Sequence, residues 1–273
     1  MQWSIISESL RKSVHAKGEH GYGSLLRGAR GARMSFHHNL WAHHSARMPR
    51  PGNYLNPQQD SVGGYYDVRS NVFYNWGGSY AGYNADSAEK ASLSTYNFVD
   101  NAYKTGPDTK KPIIFDDRDP ISKAWFAANS LNGKIPADPW SLVTGRTDAA
   151  YRLGGPIRFP AVTGDPAAAA YTKVLAAAGA SIFRDAVDAR VMETVRAGTG
   201  RLIDSQRDVG GWPELAAGTP WKDSDGDGMP DDWERRHRLD PENPADGNSD
   251  RDRDGYTELE EWLNSLAPAP PRR

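Results

Sequence analysis

SFHHNLW (residues 35–41), DVRSNVFYN (67–75) and LSTYNFVDN (93–101) each set an asparagine in front of an apolar pair. Asn39, Asn71 and Asn97 are 32 and 26 residues apart, and MQWSIIS (1–7) fits the same template with Ser4, 35 residues before Asn39. A period of this length marks stacked coils. In a parallel β-helix each turn contributes short strands to continuous parallel sheets, and an asparagine recurring at one corner satisfies backbone groups from turn to turn. Unequal intervals then assign loops of different length to one side. The same recurrence is compatible with separate antiparallel hairpins, because it rests on few repeats. Met1 falls inside the first expected strand, which would leave an unpaired edge and an uncapped core, so coils upstream of it are expected.

Composition agrees with a strand-rich body. The chain has 273 residues, 38% of them hydrophobic, with nine Trp, twelve Tyr, 27 Gly and 19 Pro; this is enough to bury a substantial core and is turn-rich. No apolar run is long enough to cross a bilayer, and the first residues lack the basic flank and apolar stretch of a signal peptide. The absence of Cys excludes disulfides and thiolate metal sites. The net charge of −2 conceals a polarity: residues 223–261 hold 15 Asp or Glu against five Arg, leaving the remainder at +8. A basic body beside an acidic tail suits a polyanion on the one and cations on the other, although solvated faces of either sign have the same composition.

The coils are expected over 1–130 and an irregular and helical extension over 131–218. Across the boundary between them, 106–165 is rich in Pro, Asp and Trp and reads as irregular. DPAAAAYTKVLAAAGA predicts a helix with Asp165 as N-cap, Pro166 at its first position and Gly179 past its end. Val187, Val191 and Val195 lie four apart on one face of a second helix ending at Gly198. The segment 202–221 reads as a connector, and 268–273 as a frayed tail.

Residues 219–267 carry two matches to a twelve-position calcium loop. In DSDGDGMPDDWE, Asp223, Asp225 and Asp227 stand at positions 1, 3 and 5, Gly228 at 6, the Met229 carbonyl at 7, Asp231 at 9 and Glu234 at 12. In DRDRDGYTELEE the same places hold Asp250, Asp252, Asp254, Gly255, the Tyr256 carbonyl, Glu258 and Glu261. Alternating carboxylates converge on a hard cation, Gly permits the sharp turn, and the last Glu binds through both oxygens. An acidic solvated linker is the alternative. The segment resembles EF-hand-like and dockerin-like modules of secreted bacterial proteins. A dockerin would imply a cohesin partner, but Asp232 and Trp233 stand where small hydroxylated recognition residues are usual, so structural Ca²⁺ binding is favoured. Extracellular Ca²⁺ is plentiful and cytosolic Ca²⁺ scarce, so the module predicts export, with a signal peptide upstream.

One further region combines a lysine and two close arginines with glycines and histidines: SVHAKGEHGYGSLLRG (13–28), FHHNLWAHH (36–44) and ARMPRPG (46–52). In this order they resemble the pectate lyase family, polysaccharide lyase family 1, whose members are right-handed parallel β-helices. The resemblance implies β-elimination of polygalacturonate with Ca²⁺. It makes Arg47 the residue that removes the C5 proton, and Lys17 and Arg50 the residues that bind substrate carboxylates. The residue types fit that chemistry, since arginine offers a planar fork matched to a carboxylate and lysine a point charge. The family's further Arg is Gly52 here, and the family's catalytic Ca²⁺ ligands lie on coils before the lysine, where this sequence has only Glu8; the chain alone is expected to be inactive. A monomer acting on acidic polysaccharide is expected, with no nucleic acid or membrane partner. The alternative is a β-helix that binds carbohydrate without cleaving it. A glycoside hydrolase would need paired carboxylates near Lys17 and Arg47, which the sequence does not supply. The six histidines of this region (His15, His20, His37, His38, His43, His44) suggest zinc, but adjacent pairs on a strand face opposite ways, which favours packing and turn hydrogen bonds.

Overall fold

The computed structural model describes residues 1–84, 91–215 and 217–266. The expected tail at 268–273 lies outside the described residues. The chain divides into two compact units, one of residues 1–179 and 185–213, the other of 180–184 and 214–273.

Unit one is organised by a column of buried side-chain amides. Asn39, Asn71 and Asn101 each present a backbone N–H and a side-chain N–H to the amide oxygen of the next rung, Asn71, Asn101 and Asn129 respectively, at 2.8–3.1 Å. The other amide hydrogen goes to a carbonyl of the coil below, as Asn71 to Phe36 at 2.9 Å. Ser4 forms the first rung through its backbone N–H, 3.0 Å from the Asn39 oxygen. The residue before each rung (Trp3, His38, Ser70, Asp100, Ala128) has φ between 52 and 57°. That left-handed bend costs a residue with a Cβ about 1 kcal/mol, which the hydrogen bonds beside it offset.

The fourth rung is Asn101 and not Asn97. Asn97 lies within a strand and donates to Asp67 at 3.0 Å and to the Ile157 carbonyl at 2.9 Å. The sequence LSTYNFVDN holds two asparagines four apart, and only the one following the bend-forming Asp100 meets the column.

Three parallel sheets run along the coils. One contains β1 (Ile5–Ser7), β4 (Leu40–Ala42), β7 (Val72–Tyr74), β10 (Ala102–Lys104) and β13 (Ser130–Leu131) in that order. The second contains β3 (Arg33–His37), β6 (Gly64–Arg69), β9 (Ser94–Val99) and β12 (Lys123–Ala127). The third side is built from β2 (Leu25–Arg27) with β5 (Arg50–Gly52), and β8 (Gly82–Tyr83) with β11 (Phe115–Asp117) and β14 (Val143–Gly145). All these strand pairings are parallel, giving a β-helix of about four turns and excluding the hairpin alternative. The coils continue through 115–145, where the sequence reads as irregular, because strands of two to five residues interrupted by Pro and Asp turns leave little alternation to detect.

Side chains in equivalent positions stack inside. Trp41, Phe73 and Tyr103 form one column with centroids 5.1 and 4.6 Å apart, and Phe98 lies flat on Phe126 at 5.0 Å. The outer face of the first sheet is covered by α1 (Ala167–Ala177) and α2 (Ala186–Ala197), whose Val174, Leu175, Val191, Met192 and Val195 pack on Leu40, Val72 and Tyr74. Helix α2 is capped by Asp185, which accepts from the Asp188 N–H, and ends at Gly198 in the left-handed region. Helix α1 has no side-chain cap. The expected cap, Asp165, instead holds Lys173 at 2.7 Å and His38 at 2.9 Å. Glu8 is likewise engaged, taking both Arg190 η-nitrogens at 2.5 and 2.8 Å and fixing α2 to the first coil.

His43 and His44 are buried at the turn after β4. The His44 Nδ1 faces the Ser9 hydroxyl at 2.7 Å and its Nε2 the Ile6 carbonyl at 3.0 Å, while the His43 Nδ1 faces the Asn75 amide and its Nε2 the Thr194 hydroxyl. Both rings are occupied by structural partners, leaving no nitrogen for zinc. Burial pushes both imidazoles down to about 4.

In unit two, α3 (Asp231–His237) and α4 (Glu258–Leu266) enclose a small core of Met229, Trp233 and Trp262. The two acidic loops have matching backbones, with φ of 77° at Gly226 and 65° at Arg253, and 99° at both Gly228 and Gly255. Among the described residues no helix is long and apolar enough to cross a membrane.

Three outcomes are expected. Asn71→Ala strands the buried Asn39 N–H and Phe36 carbonyl and should cost on the order of 3 kcal/mol in denaturant unfolding, whereas Ser4→Ala at the half-exposed end should cost under about 0.5 kcal/mol. As pH falls from 6.5 to 4, unfolded chains take up protons that His43 and His44 refuse in the fold, so stability should drop by about 2–3 kcal/mol for each, read as a falling melting temperature. Arg253→Gly relieves a left-handed arginine and should stabilise unit two by roughly 0.5–1 kcal/mol.

Candidate functional site

An open cleft of about 1250 Å³ runs along unit one, lined by turns from successive coils. Seven Lys or Arg side chains face it against three acids, Glu19, Asp108 and Asp116. Three of the cations are paired: Arg11 with Asp204, Arg118 with Asp116 and Arg201 with Asp108, at 2.9–3.0 Å. Among the described residues Lys17, Arg47, Lys110 and Lys111 line the cleft with no carboxylate in ion-pair contact. The result is a groove whose unbalanced charge is positive.

Lys17 stands exposed in a turn, its backbone N–H on the His15 Nδ1 at 3.1 Å. Arg47 has φ of 62°, a left-handed conformation that a residue with a Cβ adopts only where the surroundings enforce it. The enforcement comes from the neighbouring coil, where the Gly23 and Ser24 N–H groups donate to the Ala46 and Arg47 carbonyls at 3.0 and 2.8 Å. A Cβ at Gly23 would fall 2.6 Å from the Arg47 oxygen, so this close approach requires glycine. The guanidinium of Arg47 lies 4.2 Å from the Tyr22 ring centroid and donates through Nε to the Tyr83 hydroxyl at 3.1 Å.

Arg50, on β5, is buried behind the cleft surface. Its Nε donates to the Asn84 carbonyl at 2.8 Å and its Nη1 to the same Tyr83 hydroxyl at 3.1 Å. One phenolic oxygen therefore accepts from two guanidinium groups, using both its lone pairs. Tyr83 was not singled out by the sequence motifs. It lies 33 residues after Arg50, one coil on, so the period that identifies the asparagine column also points to it. Beside Gly52, the space a side chain would take is filled by the Asn84 amide and the Arg27 guanidinium, 2.3 and 2.9 Å from a Cβ placed there.

Among the described residues, the three sets of acidic side chains close enough to share an ion lie in unit two: Asp223 with Asp225 and Asp227, Asp227 with Glu234 and Asp246, and Asp250 with Asp252 and Asp254. Glu234 is fully buried with neither carboxylate oxygen hydrogen-bonded, an arrangement that a bound cation would satisfy. Its burial, then Asp225, Asp227 and Asp246, push its carboxyl up to about 7. The ninth-position acids go elsewhere. Asp231 accepts from Lys222 Nζ at 2.7 Å, from the Ser224 N–H and hydroxyl, and from Arg235, and these partners hold its carboxyl far below the usual range. Glu258 is taken by Arg251 at 2.5 and 3.1 Å. Glu261 is half-buried on α4, outside the set formed by Asp250, Asp252 and Asp254, with burial and the acids around it raising its carboxyl.

No family model matches the chain. It is 32% identical to a protein of Aspergillus flavus over 97% of its own length and 61% of that protein's, 31% identical to one of Aspergillus fumigatus over 96% and 60%, and 30% identical to one of Emericella nidulans over 95% and 59%. Each of the three is named probable pectate lyase C. The chain thus spans about 60% of the length of the curated relatives it matches, and the match runs through nearly all of its own residues, acidic loops included. This parallel β-helix with its cation-lined cleft is a homologue of the fungal proteins named probable pectate lyase C, at about 31% identity over 96% of its length.

Proposed function

We propose that the chain is part of a secreted pectate lyase that cleaves polygalacturonate by Ca²⁺-dependent β-elimination, and that its cleft binds the polyuronate. The observation that carries this reading is the cleft itself, where Lys17, Arg47, Lys110 and Lys111 line a groove without acidic partners. A neutral polysaccharide gives no return for the water that four cations lose when it covers them, whereas a polymer with one carboxylate per sugar neutralises them. The homology to probable pectate lyases supports the reaction class.

In β-elimination the C5–H bond breaks, its proton goes to a base, its electron pair forms the C4–C5 double bond, and the C4–O bond breaks with its pair on the leaving oxygen, which takes up a proton. Arg47 is the base in this reading: it acts in its deprotonated form, having given a guanidinium proton to solvent, and the lone pair so exposed takes the C5 proton; its side chain lines the cleft, and Tyr22 and Tyr83 fix its direction. Lys17 meets a substrate carboxylate at the exposed rim. Arg50, held behind Arg47 through Tyr83, contributes positive charge toward a carboxylate bound next to Arg47. Bound Ca²⁺ would supply further neutralisation of carboxylate charge. No set of acids in the cleft fits such an ion among the described residues, and no step here depends on one.

In unit two the cation sites are structural, with Asp223, Asp225, Asp227, Glu234, Asp250, Asp252 and Asp254 as ligands and the Met229 and Tyr256 carbonyls completing the loops. Extracellular Ca²⁺ fills such sites, which is the argument for export.

The test is absorbance from the 4,5-unsaturated uronide, measured on the chain and on a longer version matched to the full length of the fungal relatives. In the active form Arg47→Lys should reduce turnover by at least about a thousandfold, with polygalacturonate affinity within about threefold, because lysine keeps the charge and loses the fork. Lys17→Ala should weaken binding and turnover together. Near-normal turnover in Arg47→Lys would remove this residue from the chemistry, and polygalacturonate binding without any such absorbance would favour a carbohydrate-binding protein.

A further inference from the structure

Asp246 lies between the two acidic loops, outside both twelve-residue patterns, in the short 3₁₀ turn Asp246–Asn248. We propose that Asp246 is a direct ligand of the cation held by the first loop, in place of the ninth-position Asp231, and that this makes the first site much the tighter of the two. The inference rests on the calcium reading of the loops given above.

The argument goes oxygen by oxygen. Asp225 accepts the Asp227 N–H on Oδ1, Asp227 accepts the Met229 N–H on Oδ1, and Asp246 accepts the Asp240 N–H on Oδ2, at 2.8–3.2 Å. In each, the second oxygen (Asp225 Oδ2, Asp227 Oδ2, Asp246 Oδ1) is buried with no partner, as are both oxygens of Glu234. Each backbone bond thus aims one carboxylate, and the remaining oxygens gather where only a cation can satisfy them. Asp227 belongs both to the set with Asp223 and Asp225 and to the set with Glu234 and Asp246, so the five acids form one centre.

Gly247 is shaped for the same approach. It is buried, and a Cβ there would lie 2.4 Å from Asp227 Oδ2, so the turn carrying Asp246 can press on the first loop only without a side chain at 247. Asp231 is excluded because Lys222, Ser224 and Arg235 already occupy its carboxylate.

The second loop repeats the backbone bonds: Asp250 accepts from the Arg253 and Gly255 N–H groups, Asp252 from Asp254 and Asp254 from Tyr256. Its three aspartates are exposed, and among the described residues none of its carboxylate oxygens is buried without a partner. Fewer converging charges and a looser frame mean weaker binding.

The experiment is calcium titration of the full 273-residue chain by calorimetry after chelator treatment, with thermal unfolding of unit two followed in parallel. Wild type should show one tight site and one at least about tenfold weaker. Asp246→Asn keeps an acceptor for the Asp240 N–H, so its ligand-free circular dichroism should superimpose on wild type, while the tight site weakens by about tenfold or more and the weak site stays. Gly247→Ala should weaken the same site, and Asp231→Asn should leave its affinity within about threefold while lowering thermal stability. An unmoved tight site in Asp246→Asn, or an Asp231→Asn loss as large as that of Asp246→Asn, overturns the inference and leaves the calcium reading standing. No binding by the wild-type chain overturns both.

Discussion

A buried amide can end a strand, turn the chain and pass its spare hydrogen bonds to the next coil, and the column Ser4–Asn39–Asn71–Asn101–Asn129 does all three. Each rung follows a residue in the left-handed region, so the corner combines local strain with a set of bonds that only stacking can complete. This coupling makes coil height and register common to all sheets. The aromatic column of Trp41, Phe73 and Tyr103, and the helices laid over Leu40, Val72 and Tyr74, follow from that shared register.

The cleft uses the same register. Tyr22, Arg47 and Tyr83 come from three successive coils, brought side by side because the coils stack in phase. The left-handed Arg47 is supported by N–H groups from the coil below and anchored by a hydroxyl from the coil above. A guanidinium held from both sides loses little freedom when it meets a substrate, which is the condition for a group that must act at one carbon atom. The histidines next to it have a different task, since burial keeps the His43 and His44 rings neutral at the corner while their partners tie the α2 helix and the first coil to it.

In unit two the acids divide between fold and ligand. Asp231 and Glu258 carry structural ion pairs with Lys222 and Arg251, and each is further fixed by its own N–H on the carbonyl preceding its loop. Asp225, Asp227 and Glu234 of the first loop keep oxygens unpartnered around a common point. The pattern of alternating aspartates was plain in the sequence, but the allocation was not, because a twelve-residue pattern cannot record which neighbour reaches a given carboxylate first.

What the sequence determined by itself was periodic or local. The spacing of Asn39 and Asn71 pointed to coils, the aspartate alternation with Gly228 and Gly255 to two loops, Val187, Val191 and Val195 with Gly198 to a helix, and the order of Lys17, Arg47 and Arg50 to a lyase. Each depends on residues whose effect is exerted on their own backbone or at a fixed coil interval. The tertiary structure alone decided the rest. It chose Asn101 over Asn97, diverted Asp165 from capping to His38 and Lys173, put Tyr83 between two arginines and brought Asp246 to Asp227. These outcomes are competitions between partners distant in sequence, and their winners are set by which groups the stacked coils and packed loops place within about 3 Å of one another.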